Sequence, residues 1–375
     1  MKRLKKRLLN TGIIFTMMII LFSLTVYIYM LQPQFGSLPK GKRLELIKKS
    51  EHYIDGRFRN IIEKPTISPG YDQWNELWKT IAEDHPRREP ATALPSIKTN
   101  LKTISKEADI IIWFGHSSFF LQLDGVKILV DPVFSDSASP LPNSVRAYKG
   151  TNIYTAGDMP DIDYMLLSHD HYDHLDYETA KALQPKVKKV ICGLGAGAHY
   201  EHWGYSEKQL IETDWANETL INKSFSIYSE STHHESGRTF KSGQSQWLSF
   251  VIKSNDMTIY YSGDGGYTDR FKYIARKFPN INWAIVECGQ YDKAWQSVHL
   301  LPNEVAQATL DLKAENLLPV HHSKFTLANH PWDEPLNEIT KLSKDKDYHL
   351  ATPKIGEVIR LKDKQQVFEQ WWLKL

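Results

Sequence analysis

Ser168-His169-Asp170-His171-Tyr172-Asp173-His174-Leu175-Asp176 is the stretch whose reading decides the fold. His169, His171, Asp173 and His174 are four candidate metal ligands within six residues. In an extended segment side chains alternate, so His169 and His171 face one way and can reach one cation. Asp173 and His174 diverge from that face where the chain turns toward the next element, which suits a second cation beside the first. The cluster follows the short apolar run 163–167. A loop leaving a buried strand is where a rigid scaffold presents functional groups.

Two divalent ions need more ligands than this loop holds. Histidine is the compositional outlier at 15 residues, and further motifs follow or adjoin apolar runs: Thr232-His233-His234-Glu235, Ser262-Gly263-Asp264-Gly265-Gly266 and His321-His322. Small residues around Asp264 allow close backbone approach. Strand-like runs at 109–114, 118–123, 127–130, 163–167 and 186–191 continue at 246–251, 257–261, 282–286, 317–320 and 357–361. Helical periodicity marks 177–183, 269–277, 303–312 and 334–342. Hairpins first, then strands alternating with helices, predict a mixed α/β layered domain.

Composition bounds the rest. The 375 residues are 41% hydrophobic and 24% charged, which excludes a disordered polymer and a polytopic membrane protein. A net charge of +2 offers no global basic surface, so no nucleic-acid partner is expected. Cys192 and Cys288 cannot make a disulfide framework, and both adjoin apolar strands, so buried free thiols are expected.

The N-terminus is asymmetric. Lys2, Arg3, Lys5, Lys6 and Arg7 precede an uncharged stretch, 8–31, and no acidic residue appears before Glu45. As a helix this stretch reaches roughly 36 Å, enough for a hydrocarbon core of ~30 Å. It runs on into Gln32-Pro33-Gln34 without the small-residue cleavage site of a signal peptide. The expectation is a single-pass membrane anchor over 1–31, N-terminus cytoplasmic and the remainder outside. Residues 32–108 read as a linker and a belt around the main domain at 109–375, with a short helix at 43–49. Trp74 and Trp78, four apart, are expected to dock a helix on the core.

On these motifs the sequence resembles the metallo-β-lactamase superfamily, and within it the branch of N-acylphosphatidylethanolamine-hydrolysing phospholipase D. The resemblance spans about residues 50–362. It rests on Asp55-Gly56-Arg57-Phe58-Arg59-Asn60, Trp113-Phe114-Gly115-His116-Ser117-Ser118-Phe119, Leu129-Val130-Asp131-Pro132-Val133-Phe134 and the 168–176 loop. It continues through Gly193-Leu194-Gly195, Glu212-Thr213-Asp214-Trp215, His234 with Ser236-Gly237-Arg238, Ser262 to Gly266, and His321 to Phe325. It implies an αββα sandwich, two mixed sheets with helices outside and metals at one edge. His169, His171 and His234 would hold one metal; Asp173, His174 and His321 the second, with Asp264 bridging. His233 and His322 adjoin two of these and are the alternatives at their positions. Zinc fits such nitrogen and oxygen ligands, as do manganese and iron.

The activity implied is a dinuclear phosphodiesterase of phospholipase D type using a metal-bridging hydroxide, with Asp173 and Asp264 at the reacting centre. Two dications less two carboxylates and a hydroxide leave about +1, which favours an anionic phosphodiester over a neutral ester. Asp131 is the expected hydrogen-bond acceptor behind a ligating imidazole. Asp170 is expected near solvent or behind a ligand. His299 would touch substrate, protonate the leaving group or serve structure; His116 is family-like without a ligand role. A phospholipid substrate calls for an apolar groove using Trp203, Tyr200 or Tyr291. A lactonase or sugar-phosphate hydrolase is the alternative enzyme, and an anchored metal-binding module the non-enzymatic one. Trp371 and Trp372 are expected to pack the chain end on the domain.

Overall fold

The structure, a computed structural model, describes residues 2–375. Helix α1 (Lys2–Tyr29) stands out from the rest of the chain, exposed from Arg3 to Thr25 and meeting the body only in its last turn, and is a candidate membrane span by length and composition. The belt follows as α2 (Gly41–Ile47), the ribbon β1 (Tyr53–Ile54) with β2 (Arg57–Phe58), and α3 (Gln73–Ala82). The Asp72 carboxylate caps α3 by accepting from the Asn75 N–H at 3.0 Å.

Two seven-stranded sheets make the body. The first holds β3 (Ile110–Trp113), β4 (Phe119–Leu123), β5 (Val126–Val130), β6 (Ile162–Leu167), β7 (Val187–Gly193) and β8 (Leu210–Thr213). The second runs from β9 (Asn217–Asn222) and β10 (Phe225–Glu230) through β11 (Ser249–Lys253) and β12 (Thr258–Tyr261). It ends on β13 (Trp283–Glu287), β14 (Asn316–Val320) and β15 (His349–Leu350). Strand β16 (Val358–Arg360) returns to the first sheet, beside β3. Each sheet is antiparallel on one side and parallel on the other, the change falling at β5–β6 and at β12–β13.

Period two sorts the strands onto two faces. Ile111, Trp113, Leu121 and Val130 of the first sheet meet Ile227, Phe250, Ile259 and Ile285 of the second. The alternate residues Ile112, Leu129, Met165 and Val190 pack outward with residues of α4 (Tyr177–Leu183) and α5 (Gly197–His202). On the far side Tyr260, Ala284 and Leu317 pack with α6 (Arg270–Lys277), α7 (Pro302–Leu312) and α8 (Glu334–Ser343). The result is αββα. Strands covered on both faces are continuous apolar runs, which is why they were readable.

Three features depart from expectation. Strands β8, β9 and β10 had no reading, since Asn217-Glu218-Thr219 and the serines of β10 blur the pattern, and β9 is an edge strand half in water. The run 246–251 becomes a strand only from Ser249. Gln246 and Leu248 donate instead to the carbonyls of Leu194 and Ser168, crossing toward the first sheet. Trp74 and Trp78 do not dock α3: they are 73% and 67% exposed, because the inward side of that helix carries Glu76 and Thr80. Trp371 and Trp372 are buried with Trp332 and Leu336, and both cysteines are buried free thiols.

Candidate metal centre

The loops after β6, β10, β12 and β14 gather at one edge of the two sheets. The 168–176 loop is held from beneath by Asp131, which follows β5 with φ +40°. Its carboxylate accepts from the Ser168 N–H (2.8 Å), Ser168 Oγ (2.5 Å) and Tyr261 hydroxyl (2.6 Å), and pairs with His174 Nδ1 at 2.9 Å. That last bond assigns the His174 proton to Nδ1 and turns Nε2 toward the cluster.

His174 Nε2 lies 3.1 Å from Asp264 Oδ2 and 3.4 Å from Asp173 Oδ2. His321 Nε2 lies 3.0 Å and 3.3 Å from the same two oxygens. Asp264 turns inward because Gly263 beside it has φ +55°, and a Cβ there would stand 2.4 Å from the Leu248 carbonyl. On the other side His169 Nε2 is 2.9 Å from His171 Nδ1, which is 3.3 Å from His234 Nε2. His169 Nε2 is 3.9 Å from Asp264 Oδ2, so Asp264 stands between the two groups.

The neighbouring imidazoles are engaged elsewhere. His233 faces the carbonyls of Ser297 and Ile62, and His322 faces Ser323 Oγ and the Pro319 carbonyl. Asp170 is neither near solvent nor behind a cluster residue: it is buried and bonded to His199, Ser245 and the Gly237 N–H. Trp203, Tyr200 and Tyr291 are buried in packing and leave the pocket to others. A cavity of about 350 Å³ opens over His171, Asp173, Asp264, His299 and His321, with Ile67, Trp295, Val298 and Leu327 as its apolar wall.

One group carries no reading from the sequence. Glu287 ends β13 fully buried, accepts from the Gly265 N–H at 2.6 Å and binds His299 Nδ1 at 2.7 Å. A lone carboxylate closing an apolar strand, like Asp131 after β5, was its signal. His116 sits in the core with Nε2 2.8 Å from Asp173 Oδ2.

Electrostatics divide the cluster. Burial works against charge on His174, yet the Asp264 and Asp173 carboxylates hold its pKa well above the ordinary value. Burial opposes His321 likewise, and Asp264 and Asp173 bring it up to about 10. Burial pushes His169 and His234 well below the ordinary value, and neighbouring imidazoles add to this. Burial pushes His116 down to about 3 despite its contact with Asp173.

The donor set fits metal ions. His169, His171 and His234 bring three nitrogens within 4.8 Å of one another, as do the ligand atoms of Asp173, His174 and His321 with His116. His174 Nε2 and Asp264 Oδ1 are buried without a hydrogen-bond partner, which is costly unless a cation meets them. Facing imidazole nitrogens with too few protons between them have the same need.

Comparison with known proteins agrees with this architecture. The Beta-lactamase superfamily domain model matches residues 126–322. An uncharacterised protein of Mycobacterium tuberculosis is 29% identical over 332 residues, 87% of this chain and 88% of its own. The N-acyl-phosphatidylethanolamine-hydrolyzing phospholipase D 1 of Caenorhabditis elegans is 27% identical over 276 residues, 67% of this chain and 76% of its own. Among solved structures, an isothiocyanate hydrolase from Delia radicum gut bacteria shares the fold with a TM-score of 0.54. Its identity is 16%, over 67% of this chain and 98% of that one.

Proposed function

The chain belongs to the metallo-β-lactamase superfamily of metal-dependent hydrolases, and from that premise we propose a membrane-anchored phosphodiesterase of phospholipase D type. Its substrate would be N-acylphosphatidylethanolamine or a related phospholipid. The observation that carries the reading is the meeting of seven side chains from four loops, Asp264 standing between the other six. His169, His171 and His234 would hold one divalent cation and Asp173, His174 and His321 the other, with Asp264 shared. Zinc suits this set, and manganese or iron fit similar ones. Bound there, the pair supplies Lewis-acid activation of water and neutralises the anionic reacting group.

The chain's own residues supply the rest. Asp131 and His116 orient His174 and Asp173 from behind. Asp173 and Asp264 line the pocket as acceptors for the proton of the attacking water. Water adds to phosphorus in line with the leaving oxygen, the phosphorus–oxygen bond breaks, and the leaving oxygen needs a proton. His299 lines the same pocket, and with Glu287 holding the proton on its Nδ1, the imidazolium form would give a second proton from Nε2 to the leaving oxygen. Next to the metal pocket, sharing Thr66, Glu235 and Val298 with it, is a second cavity where Arg59 pairs with Glu63 at 3.1 Å, leaving Arg57 and Lys64 as the cations for an anionic headgroup.

Support for a lipid substrate comes from the junction of α1 with the body. The Tyr29 ring meets Phe35 edge-on at 5.6 Å, and Phe35 meets Tyr172 of the metal loop at 6.3 Å. Arg238 lies over Tyr172 at 4.0 Å and donates to the carbonyls of Gln34, Asp170 and Leu175. With 1–31 as the anchor, N-terminus cytoplasmic, the belt at 32–108 and the hydrolase domain at 109–375 lie outside, metal loop toward the bilayer. Tethering there raises the effective concentration of a lipid substrate. The test is a panel of phospholipids in vesicles, simple phosphodiesters and lactones offered to the metal-loaded full chain. Turnover of phosphodiester lipids is expected; turnover of lactones alone would replace this reading.

A further inference from the structure

Outside α1, the described residues place four exposed large apolar side chains on one other element, α3. Trp74, Leu77, Trp78 and Ile81 are 73%, 48%, 67% and 70% exposed. Their spacing of three, four and seven puts them on a single face. The opposite face is fixed to the body. Glu76 is buried on that face, and Thr80 Oγ1 accepts from the Asn329 amide at 2.9 Å. The helix is therefore pinned with its apolar stripe turned outward, and an apolar stripe held this way marks a contact surface.

Its position names the contact. The chain entering α3 is tied at the Ser68 N–H to the Ala294 carbonyl, 2.7 Å, next to Trp295 of the pocket wall. Asn329, which binds Thr80, is two residues from Leu327 of the same wall. The stripe thus stands on the rim of the metal pocket. Across that rim, Phe35 is buried beside the metal loop only six residues after Tyr29. Six residues span at most roughly 20 Å, so a membrane-embedded α1 keeps this rim at the bilayer surface. Tryptophan is the residue enriched at that depth.

We propose that α3 is an interfacial helix whose Trp74, Leu77, Trp78 and Ile81 enter the lipid headgroup region beside the mouth of the metal pocket. The proposal rests on α1 spanning the membrane and is independent of the reaction catalysed. Docked in this way, the pocket opens onto the lipid surface and a phospholipid headgroup reaches it without leaving the leaflet.

The experiment uses the full chain in phosphatidylcholine–phosphatidylglycerol vesicles, labelled with an environment-sensitive fluorophore at one introduced cysteine. Cys192 and Cys288 are buried and stay unlabelled. Ile81→Cys reports on the stripe and Leu21→Cys on α1. Lys223→Cys, in the β9–β10 turn at the end of the second sheet away from the metal edge, serves as the aqueous reference. Spin-labelled lipid should quench position 81 as well as 21 and leave 223 bright, while iodide should quench 223 alone. Adding Trp74→Glu and Trp78→Glu should abolish lipid quenching at 81 with metal content unchanged. Position 81 quenched by iodide as strongly as 223 would overturn the proposal. Shielding from iodide without lipid quenching would also overturn it, since the stripe would then be covered by protein, a partner or a second copy. Absence of lipid quenching at 21 would remove its premise.

Discussion

Asn60 holds His234 by both of its backbone polar groups. The Asn60 Nδ2 donates to the His234 carbonyl at 2.8 Å, and the His234 N–H donates to Asn60 Oδ1 at 3.2 Å. Trp247 Nε1 donates to the same Oδ1 at 3.0 Å, so the belt reaches into the metal edge and sets one imidazole there. Asn60→Ala leaves a buried N–H and carbonyl without partners. Metal affinity at the His169–His171–His234 group should fall about 10–100-fold, in the range found for outer-shell partners. Competition with a fluorescent chelator measures it. Asn60→Asp, keeping the acceptor, should recover part of the loss.

Asp131 accepts three hydrogen bonds from Ser168 and Tyr261 and fixes His174. Asp131→Ala removes the acceptor for all of them at a fully buried position. Loss of one buried charged partner costs about 3–5 kcal/mol, and denaturant unfolding should register a drop of that order. Metal content at the His174 side should fall with it. Asp131→Asn, smaller in its effect on folding, should still lower metal content, because the amide no longer favours the Nδ1 proton of His174.

Lys324 is a second buried charge with a separate signature. Its ammonium donates to the carbonyls of Phe114 and Val133, and burial brings its pKa down to about 7 although Asp176 and Asp136 oppose this. Between that value and the ordinary 10.5, the unfolded chain binds a proton that the folded chain does not. Stability from this group therefore rises with pH across the window, by at most about 1.4 kcal/mol per unit, and the full cost is present below it. Lys324→Met should flatten the slope of unfolding free energy over pH 7–10 relative to the parent. It should not raise stability throughout, because two carbonyls lose their donor.

Truncation separates the proposed anchor from the strap behind it. Trp203 Nε1 donates to the Pro33 carbonyl, Arg238 to Gln34, and the Ser37 N–H pairs with His199 Nδ1. Deleting 1–31 leaves these in place, and the remaining chain should hold its melting temperature and hydrolyse a soluble substrate. Deleting 1–38 removes buried Phe35 and exposes Arg238. A loss of about 3 kcal/mol or more is expected in thermal unfolding.

The sequence made the metal edge legible where chemistry and strand ends coincide. His169 to His174 stand at the end of an apolar run, and Asp264 and His321 each follow one. Residues whose role is to hold others were harder to read. Glu287 is marked by no more than its place at the close of an apolar strand, and Asn60 lies more than 170 positions from the peptide it clamps, with nothing local to mark it. Trp74 and Trp78 show the limit of periodicity. Spacing identifies a helical face but not which side of it meets the body, and only the burial of Glu76 and the Thr80–Asn329 bond decide that. The edge strand β9 is illegible because four of its six residues face water and carry no pattern beyond polarity.

Metal stoichiometry tests the central claim most directly. The full chain, purified without chelators and reconstituted with zinc, should hold two equivalents. His171→Ala and His174→Ala should each lose at least one equivalent while circular dichroism keeps the parental spectrum. Two equivalents retained in both variants, or fewer than two in the parent at saturating zinc, would contradict a dinuclear centre built from these seven residues.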